Sequence, residues 1–98
     1  MRLIRVSGES MSPTLRDGDI ILVKRIKPRS LRPGYIYVIQ HSDLGQIIKR
    51  LDDFQDNRCL FSGDNPNSTP SAVIAPVDKH RVQERALLRI GPRGIHLL

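Results

Sequence analysis

A serine in a turn-forming segment and a lysine in an apolar segment are the residues of this chain best suited to chemistry. Ser10 begins the segment 10–15 (SMSPTL), and Lys49 lies within the segment 46–51 (QIIKRL). An amine that is kept from water loses its proton more readily, and a neutral amine within reach of a serine hydroxyl can activate it as a nucleophile. The two residues therefore predict a Ser-Lys dyad, with Ser10 as the nucleophile and Lys49 as the general base.

Each of the two residues also has an ordinary structural interpretation. Ser10 could cap the turn that follows it, and Lys49 could belong to an edge strand and extend its amine into solvent. Strand alternation places Lys49 on the same face as Ile47 and Leu51, which would desolvate the amine if that face is buried. Lowering a lysine pKa from about 10.4 to between 7 and 8 corresponds to roughly 3–4 kcal/mol against the charged form.

Residues near the serine, and a second loop, provide candidate supporting groups. Gly8 permits a sharp bend, and such a bend can direct successive backbone N–H groups at one point, as an oxyanion hole requires. Met11 would help to keep water from the lysine amine. The segment 63–66 (GDNP) has the composition of a tight turn, although an ordinary surface loop would look the same. A hydroxyl after this turn, Ser68 or less favourably Ser71, could hydrogen-bond to the Lys49 amine and orient it.

Short strand-like segments separated by turn residues must position these groups. The segments are residues 20–23, 35–39, 46–51, 59–61 and 86–90, with a further edge strand possible at 94–98. Residues 41–45 have the right length for a hairpin loop between the second and third segments. We therefore predict a mostly β fold, a compact antiparallel β-barrel or coiled sheet with at most a turn or two of helix. The 98 residues are assigned to a single domain.

Composition narrows the functional classes. No apolar run approaches the roughly 20 residues that cross a bilayer, and no signal peptide pattern is present, so a soluble cytoplasmic protein without a membrane partner is expected.

The single cysteine, Cys59, excludes an internal disulfide framework and is predicted to lie in the core. The three histidines are isolated from one another, and we predict neither a metal site nor a cofactor. The net charge of +6 is spread along the chain with few aromatic residues, which favours a basic surface over nucleic-acid binding.

In their order along the chain, these motifs resemble the signal peptidase I and LexA-like group of Ser-Lys peptidases. The resemblance rests on residues 8–15 (GESMSPTL), 18–19 (GD), 49–50 (KR) and 63–65 (GDN), and it spans roughly residues 6–90. It implies that Ser10 is the nucleophile, that Lys49 is the base and that the Ser10 N–H lies in the oxyanion hole. The supporting residues that it implies are Gly8, Glu9, Met11, Arg50, Asp64 and Ser68.

Two features depart from the pattern of this group. Gly8 stands where signal peptidases often have a serine two positions before the nucleophile, so backbone donors must stabilise the oxyanion. The Ser-x-Asp-Ser-Arg ending of the group is replaced by residues 68–72 (STPSA). Pro70 and Ala72 there take the places of an Asp and an Arg that would pair with each other and with Arg50.

Within the group, the missing membrane anchor, the short N-terminus and the form Gly-Asp-Asn-Pro-x-Ser-Thr most resemble the maturation protease of nickel-type superoxide dismutase. This resemblance implies that the chain removes a short N-terminal leader from that precursor, its expected partner, through an acyl-enzyme. One alternative is a signal-peptidase-like leader peptidase with another substrate. Others are a LexA-like or UmuD-like self-cleaving domain and a non-catalytic basic binding module. The Ala-Gly and Cys-Gly dipeptides at which self-cleaving domains commonly cut do not occur here.

Overall fold

The computed structural model describes residues 1–67 and 74–98, and within them the chain folds into one antiparallel sheet. The strands run β1 Arg2–Arg5, β2 Ile20–Arg25, β3 Ile36–His41, β4 Gly45–Gln55, β5 Arg58–Ser62, β6 Val77–Asp78, β7 Val82–Gly91 and β8 Gly94–Leu97. Their order in the sheet is β1-β2-β7-β3-β4-β5-β6, and β8 pairs with β7. The sheet is coiled and open, with β1 and β6 at the ends of this path.

Two hydrophobic clusters form the core, one on each face of β3. Ile36 and Val38 contribute to the first cluster and Tyr37 and Ile39 to the second, because successive strand residues point to opposite faces. The first cluster consists of Ile4, Val6, Met11, Leu15, Ile21, Val23, Ile36, Val38 and Ala86. The second consists of Leu31, Tyr37, Ile39, Leu51, Cys59, Phe61, Ile74, Val77 and Val82. Burial on both faces explains why β3 is a continuous apolar run rather than an alternating one.

The predicted fold class is confirmed as a mostly β, coiled antiparallel sheet. The hairpin between β3 and β4 is also confirmed, since His41 pairs with Gly45 across it. Cys59 is fully buried in the second cluster, as expected. Two strands were missed, β1 and the two-residue β6.

The described part of the chain contains several short helical turns. Two 3₁₀ turns span Pro28–Ser30 and Lys79–Arg81. A further turn between β1 and β2 contains a helix-type hydrogen bond from the Leu15 N–H to the Met11 carbonyl oxygen, at 2.9 Å. No helix in residues 1–67 or 74–98 has the length and apolar character to span a membrane.

Candidate active site

A tight turn between β1 and β2 carries Ser10. The turn begins at Gly8, whose φ of 80° is a conformation that glycine adopts without the cost a side chain would add. The Gly8 N–H donates to Asp17 Oδ1 at 2.8 Å. Met11 and Leu15 are buried in the first cluster, so the hydrophobic core holds the residues that follow the serine. The half-buried Ser10 side chain is thereby fixed at the surface of that core.

Lys49 lies on β4, where it pairs with Tyr37 of β3. The residue is only 6% exposed, which is unusual for a lysine. Desolvation by this burial lowers the pKa of the Lys49 amine from its ordinary value, because the charged form loses hydration. The interpretation in which the amine extends into solvent does not fit this burial.

Ser10 and Lys49 lie on the wall of the same cavity, which has a volume of about 180 Å³. Its lining residues are Arg5, Val6, Ser7, Ser10, Met11, Gln46, Ile47, Ile48 and Lys49. They come from the chain at and just after the end of β1 and from the first half of β4. Two segments far apart in the sequence thus bring Ser10 and Lys49 to the wall of one cavity.

Two strand edges border this cavity. β4 pairs with β3 through Arg50 but pairs with β5 only from Arg50 onward, so residues 46–49 have one edge without a partner strand in the described structure. β1 pairs with β2 and lies at the end of the sheet path. Arg2 Nη2 donates to Oε1 of the cavity-lining Gln46 at 3.0 Å and connects β1 to β4. The cavity is therefore a short cleft between the unpaired edge of residues 46–49 and strand β1 at the end of the sheet.

The backbone around the serine has a donor that could face an oxyanion. The Ser12 N–H donates to the Glu9 carbonyl oxygen at 3.1 Å, whereas the Ser10 N–H has no backbone acceptor in residues 1–67 and 74–98. Glu9 is exposed and contributes to the turn through its carbonyl oxygen. Because Gly8 has no side-chain hydroxyl to donate, an oxyanion here would depend on backbone donors. The Ser10 N–H, which has no backbone acceptor in the described residues, is such a donor.

The loop after β5 is bonded directly to the serine turn. The Asn65 N–H donates to the Ser10 carbonyl oxygen at 3.0 Å, and Asn65 Nδ2 donates to the Glu9 carbonyl oxygen at 3.0 Å. Asp64 accepts a hydrogen bond from the Thr14 hydroxyl. The loop therefore contacts the serine turn at both its start and its end.

Arg50 connects this loop to β4, directly beside Lys49. Its Nε and Nη2 donate to the two Asp64 oxygens at 2.8 and 2.7 Å, and its Nη1 donates to the Gly34 carbonyl oxygen at 2.6 Å. The Arg50 hydrogen bonds hold the pKa of Asp64 below its ordinary value of 3.8. Asp64 thus gives Arg50 a carboxylate partner within the described residues.

The structure brings most of the predicted site residues together. Ser10, Lys49 and Met11 line one cavity, and Gly8, Glu9, Asp64 and Arg50 support the serine turn through hydrogen bonds. Ser68 and Ser71 lie outside the described residues, so the proposed orientation of the Lys49 amine by a hydroxyl stays a prediction. The sequence analysis did not find the contributions of Thr14, Asn65 and Gln46. The motif 63–65 offered a signal for Asn65 alone.

Replacing Asp64 by asparagine should lower the free energy of unfolding by about 1–3 kcal/mol, because Arg50 loses its anionic partner while half-buried. Asp64 contributes this stability above pH 3.8, and the contribution is lost as the pH falls through its lowered pKa. The difference between parent and variant should therefore vanish in acid. Urea unfolding at pH 7 and pH 2.5 measures it.

The matched control for this prediction is Asp78→Asn. Asp78 pairs with Arg58 at 3.4 Å, but both side chains are more than half exposed. Such a surface pair contributes about 0–1 kcal/mol, so the control should stay close to the parent at both pH values. Equal losses in the two variants would show that the Arg50–Asp64 pair has no special role.

The fold and the site together define a class of protein, a small mostly β domain in which a serine turn and a buried lysine share one cavity. Comparison with protein-family models gives the family, because the model described as Peptidase S24-like matches residues 1–86. The chain therefore belongs to the Peptidase S24-like family. This confirms the resemblance to LexA-like peptidases at the level of the family. Searches of curated proteins and of solved structures found no significant match.

Proposed function

We propose that this protein is a serine endopeptidase with a Ser10-Lys49 dyad that removes a short N-terminal leader from a precursor protein. The observation that carries the proposal is the shared cavity, in which the Ser10 turn meets a lysine amine of lowered pKa. Membership in a peptidase family supports the same chemistry. A cytoplasmic location and the absence of nucleic-acid and membrane partners stay predictions.

The dyad would act through an acyl-enzyme. Neutral Lys49 takes the proton of the Ser10 hydroxyl as Oγ attacks the scissile carbonyl carbon, and the Ser10 N–H donates to the developing oxyanion. Lys49 then gives the proton to the leaving amine as the peptide bond breaks. Lys49 then takes a proton from a water molecule whose oxygen attacks the ester carbonyl carbon, and it returns that proton to Ser10 Oγ as the acyl–oxygen bond breaks. The carboxylic acid that is released loses its own proton to solvent. The cycle ends with Lys49 neutral again.

The substrate would bind as an extended segment in the cleft between β1 and β4. The unpaired edge of residues 46–49 offers backbone groups to such a segment, as in binding by strand addition. Four strand residues span roughly 10–13 Å, and the Arg2–Gln46 hydrogen bond joins β1 to β4 beside this edge. The cleft therefore suits a short extended segment, and its small volume favours small side chains.

The proposed precursor is that of nickel-type superoxide dismutase. Its support is the resemblance of residues 63–69 (GDNPNST) to the form found in the maturation protease of that enzyme, and the small cleft is compatible with a short leader. Nickel would bind to the processed substrate rather than to this chain. Recognition of one precursor then depends on the few residues that fill the cleft.

Co-incubation with the leader-bearing precursor, followed by intact mass, tests the proposal. We expect one cut that removes the leader, and no cut when the protein carries Ser10→Ala. If the protein cleaves members of a peptide library but leaves the precursor intact, the proposed peptidase activity stands and the proposed substrate is wrong. Clipping of the chain itself at mildly alkaline pH would favour a self-cleaving domain instead. Inertness towards all of these would contradict the proposed activity.

A further inference from the structure

Two arginines from the C-terminal hairpin bond to backbone carbonyls of the serine turn. Arg89 lies in β7, and its Nη1 donates to the Thr14 carbonyl oxygen at 3.0 Å. Arg93 lies in the turn before β8, and its Nη1 donates to the Pro13 carbonyl oxygen at 3.1 Å. Both residues lie beyond residues 1–86, the part of the chain that the family model matches. The contact therefore belongs to a segment that the family assignment leaves unexplained.

The hairpin turn is itself docked against the start of β2. Asp19 is only 3% exposed, and its Oδ2 accepts from the Arg16 N–H at 2.9 Å and pairs with Arg93 Nη2 at 3.5 Å. A Cβ atom at Gly91 would lie 2.5 Å from Asp19 Oδ1, so glycine is needed for this close approach. The hairpin is thus fixed in place before its arginines reach the serine turn.

The burial of Arg89 carries a cost that packing alone does not explain. The residue is 6% exposed, and its Nε is buried without a hydrogen-bond partner in the described part of the chain. Burying a guanidinium in this way is unfavourable unless its remaining donors are well used. The donor that is used, Nη1, holds the carbonyl of Thr14, whose hydroxyl is held by Asp64.

We propose that Arg89 and Arg93 are positioning residues that hold the Ser10 turn against Lys49. The inference rests on the proposed function of Ser10. Asp64 and Asn65 bond to the turn from the loop after β5, and the two arginines bond to two successive carbonyls, those of Pro13 and Thr14, from the hairpin. Small displacements of a nucleophile lower reaction rates strongly without necessarily weakening substrate binding. The hairpin therefore acts on the acylation rate.

The test measures covalent labelling of Ser10 by an alkyl fluorophosphonate, read by intact mass and peptide mapping. In this reaction Ser10 Oγ bonds to phosphorus, its proton passes to Lys49 and fluoride leaves. We expect Arg89→Met to lower the maximal labelling rate at least tenfold, with half-saturation within twofold of the parent. Arg89→Lys keeps one donor and should recover to within about threefold of the parent.

Arg85→Met is the matched control. Arg85 lies on the same strand and also has a buried Nε without a partner in the described residues, but its guanidinium stacks on Tyr35, 3.6 Å from the ring centroid. It should label at close to the parent rate. A rate in Arg89→Met equal to that of the parent, or an equal drop in Arg85→Met, would overturn the proposal.

Amide hydrogen exchange of residues 10–15 provides a readout that needs no chemistry at Ser10. We expect exchange there to be at least tenfold faster in Arg89→Met while β3 and β4 exchange as in the parent. Uniformly faster exchange throughout the chain would mean a general loss of stability and would contradict a positioning role. If the parent itself fails to label, cleavage of the precursor still decides the proposed function, and exchange still decides whether the hairpin holds the turn.

Discussion

Replacing Lys49 by methionine is expected to abolish peptide cleavage while making the folded protein more stable. Cleavage should fall at least about 10³-fold, because Ser10 loses the base that takes its proton. Stability should rise by on the order of 1 kcal/mol at pH 7, since an apolar side chain of similar length replaces a buried amine. Few substitutions of a buried residue stabilise a protein, so the pair of effects is diagnostic.

The gain in stability has a definite pH dependence. The pKa of Lys49 is lower in the folded state than in the unfolded chain, so the folded state disfavours its charged form. The parent is therefore penalised fully below the folded pKa, and the penalty fades as the pH rises towards the ordinary value of 10.5. The advantage of Lys49→Met should be larger at pH 6 than at pH 10, as measured by urea unfolding.

Lys24→Met is the control for this result. Lys24 lies on β2 but is exposed, so its replacement should leave cleavage and the pH dependence of stability nearly unchanged. Retained cleavage in Lys49→Met would remove Lys49 from the mechanism. If Lys49→Met instead loses stability by about the size of the expected gain, the Lys49 amine makes favourable interactions in the folded protein and its burial carries no net cost.

Replacing Ser10 by alanine is expected to lower cleavage roughly 10⁴-fold or more, with the fold preserved. The change removes one half-buried hydroxyl, while Met11 and Leu15 continue to hold the turn in the core. The free energy of unfolding should therefore stay within about 0.5 kcal/mol of the parent. The measurements are cleavage of the precursor or of a selected peptide, and urea unfolding.

Ser42→Ala is the matched control, because Ser42 is an exposed serine in the loop between β3 and β4. This variant should cleave as the parent does. If Ser10→Ala retains cleavage and the product is the same, another nucleophile acts and the dyad is wrong. Equal losses in both serine variants would point to a contaminating peptidase or an assay artefact rather than to Ser10.

The sequence predicted those strands whose apolar residues form a local pattern. β3 and the first half of β4 have such patterns, and the loop between them has hairpin chemistry. β1 was missed because Arg2 and Arg5 interrupt the run, although Ile4 is buried and pairs with Ile21 in β2. β6 has only two residues, which is too short for periodicity to indicate.

The site was predictable to the extent that its chemistry is local. The apolar neighbours of Lys49 indicated its desolvation, and the bend at Gly8 indicated the turn that carries Ser10. The hydrogen bonds that hold the turn join residues far apart in the chain, such as Thr14 with Asp64 and with Arg89. Nothing near either partner indicates such a pairing, because it depends on how the sheet coils. The assignment of the whole chain to one domain stays a prediction.

The most direct test of the account is the titration of the Lys49 amine itself. The chain has four lysines, and the other three, Lys24, Lys27 and Lys79, serve as internal references. With ¹³C-labelled lysine, NMR can follow each Cε against pH, and Lys49→Met assigns the Lys49 signal by its loss. The account predicts that Lys49 loses its proton at clearly lower pH than the ordinary lysine value of 10.5. A Lys49 signal that titrates at that value or above it would contradict the account.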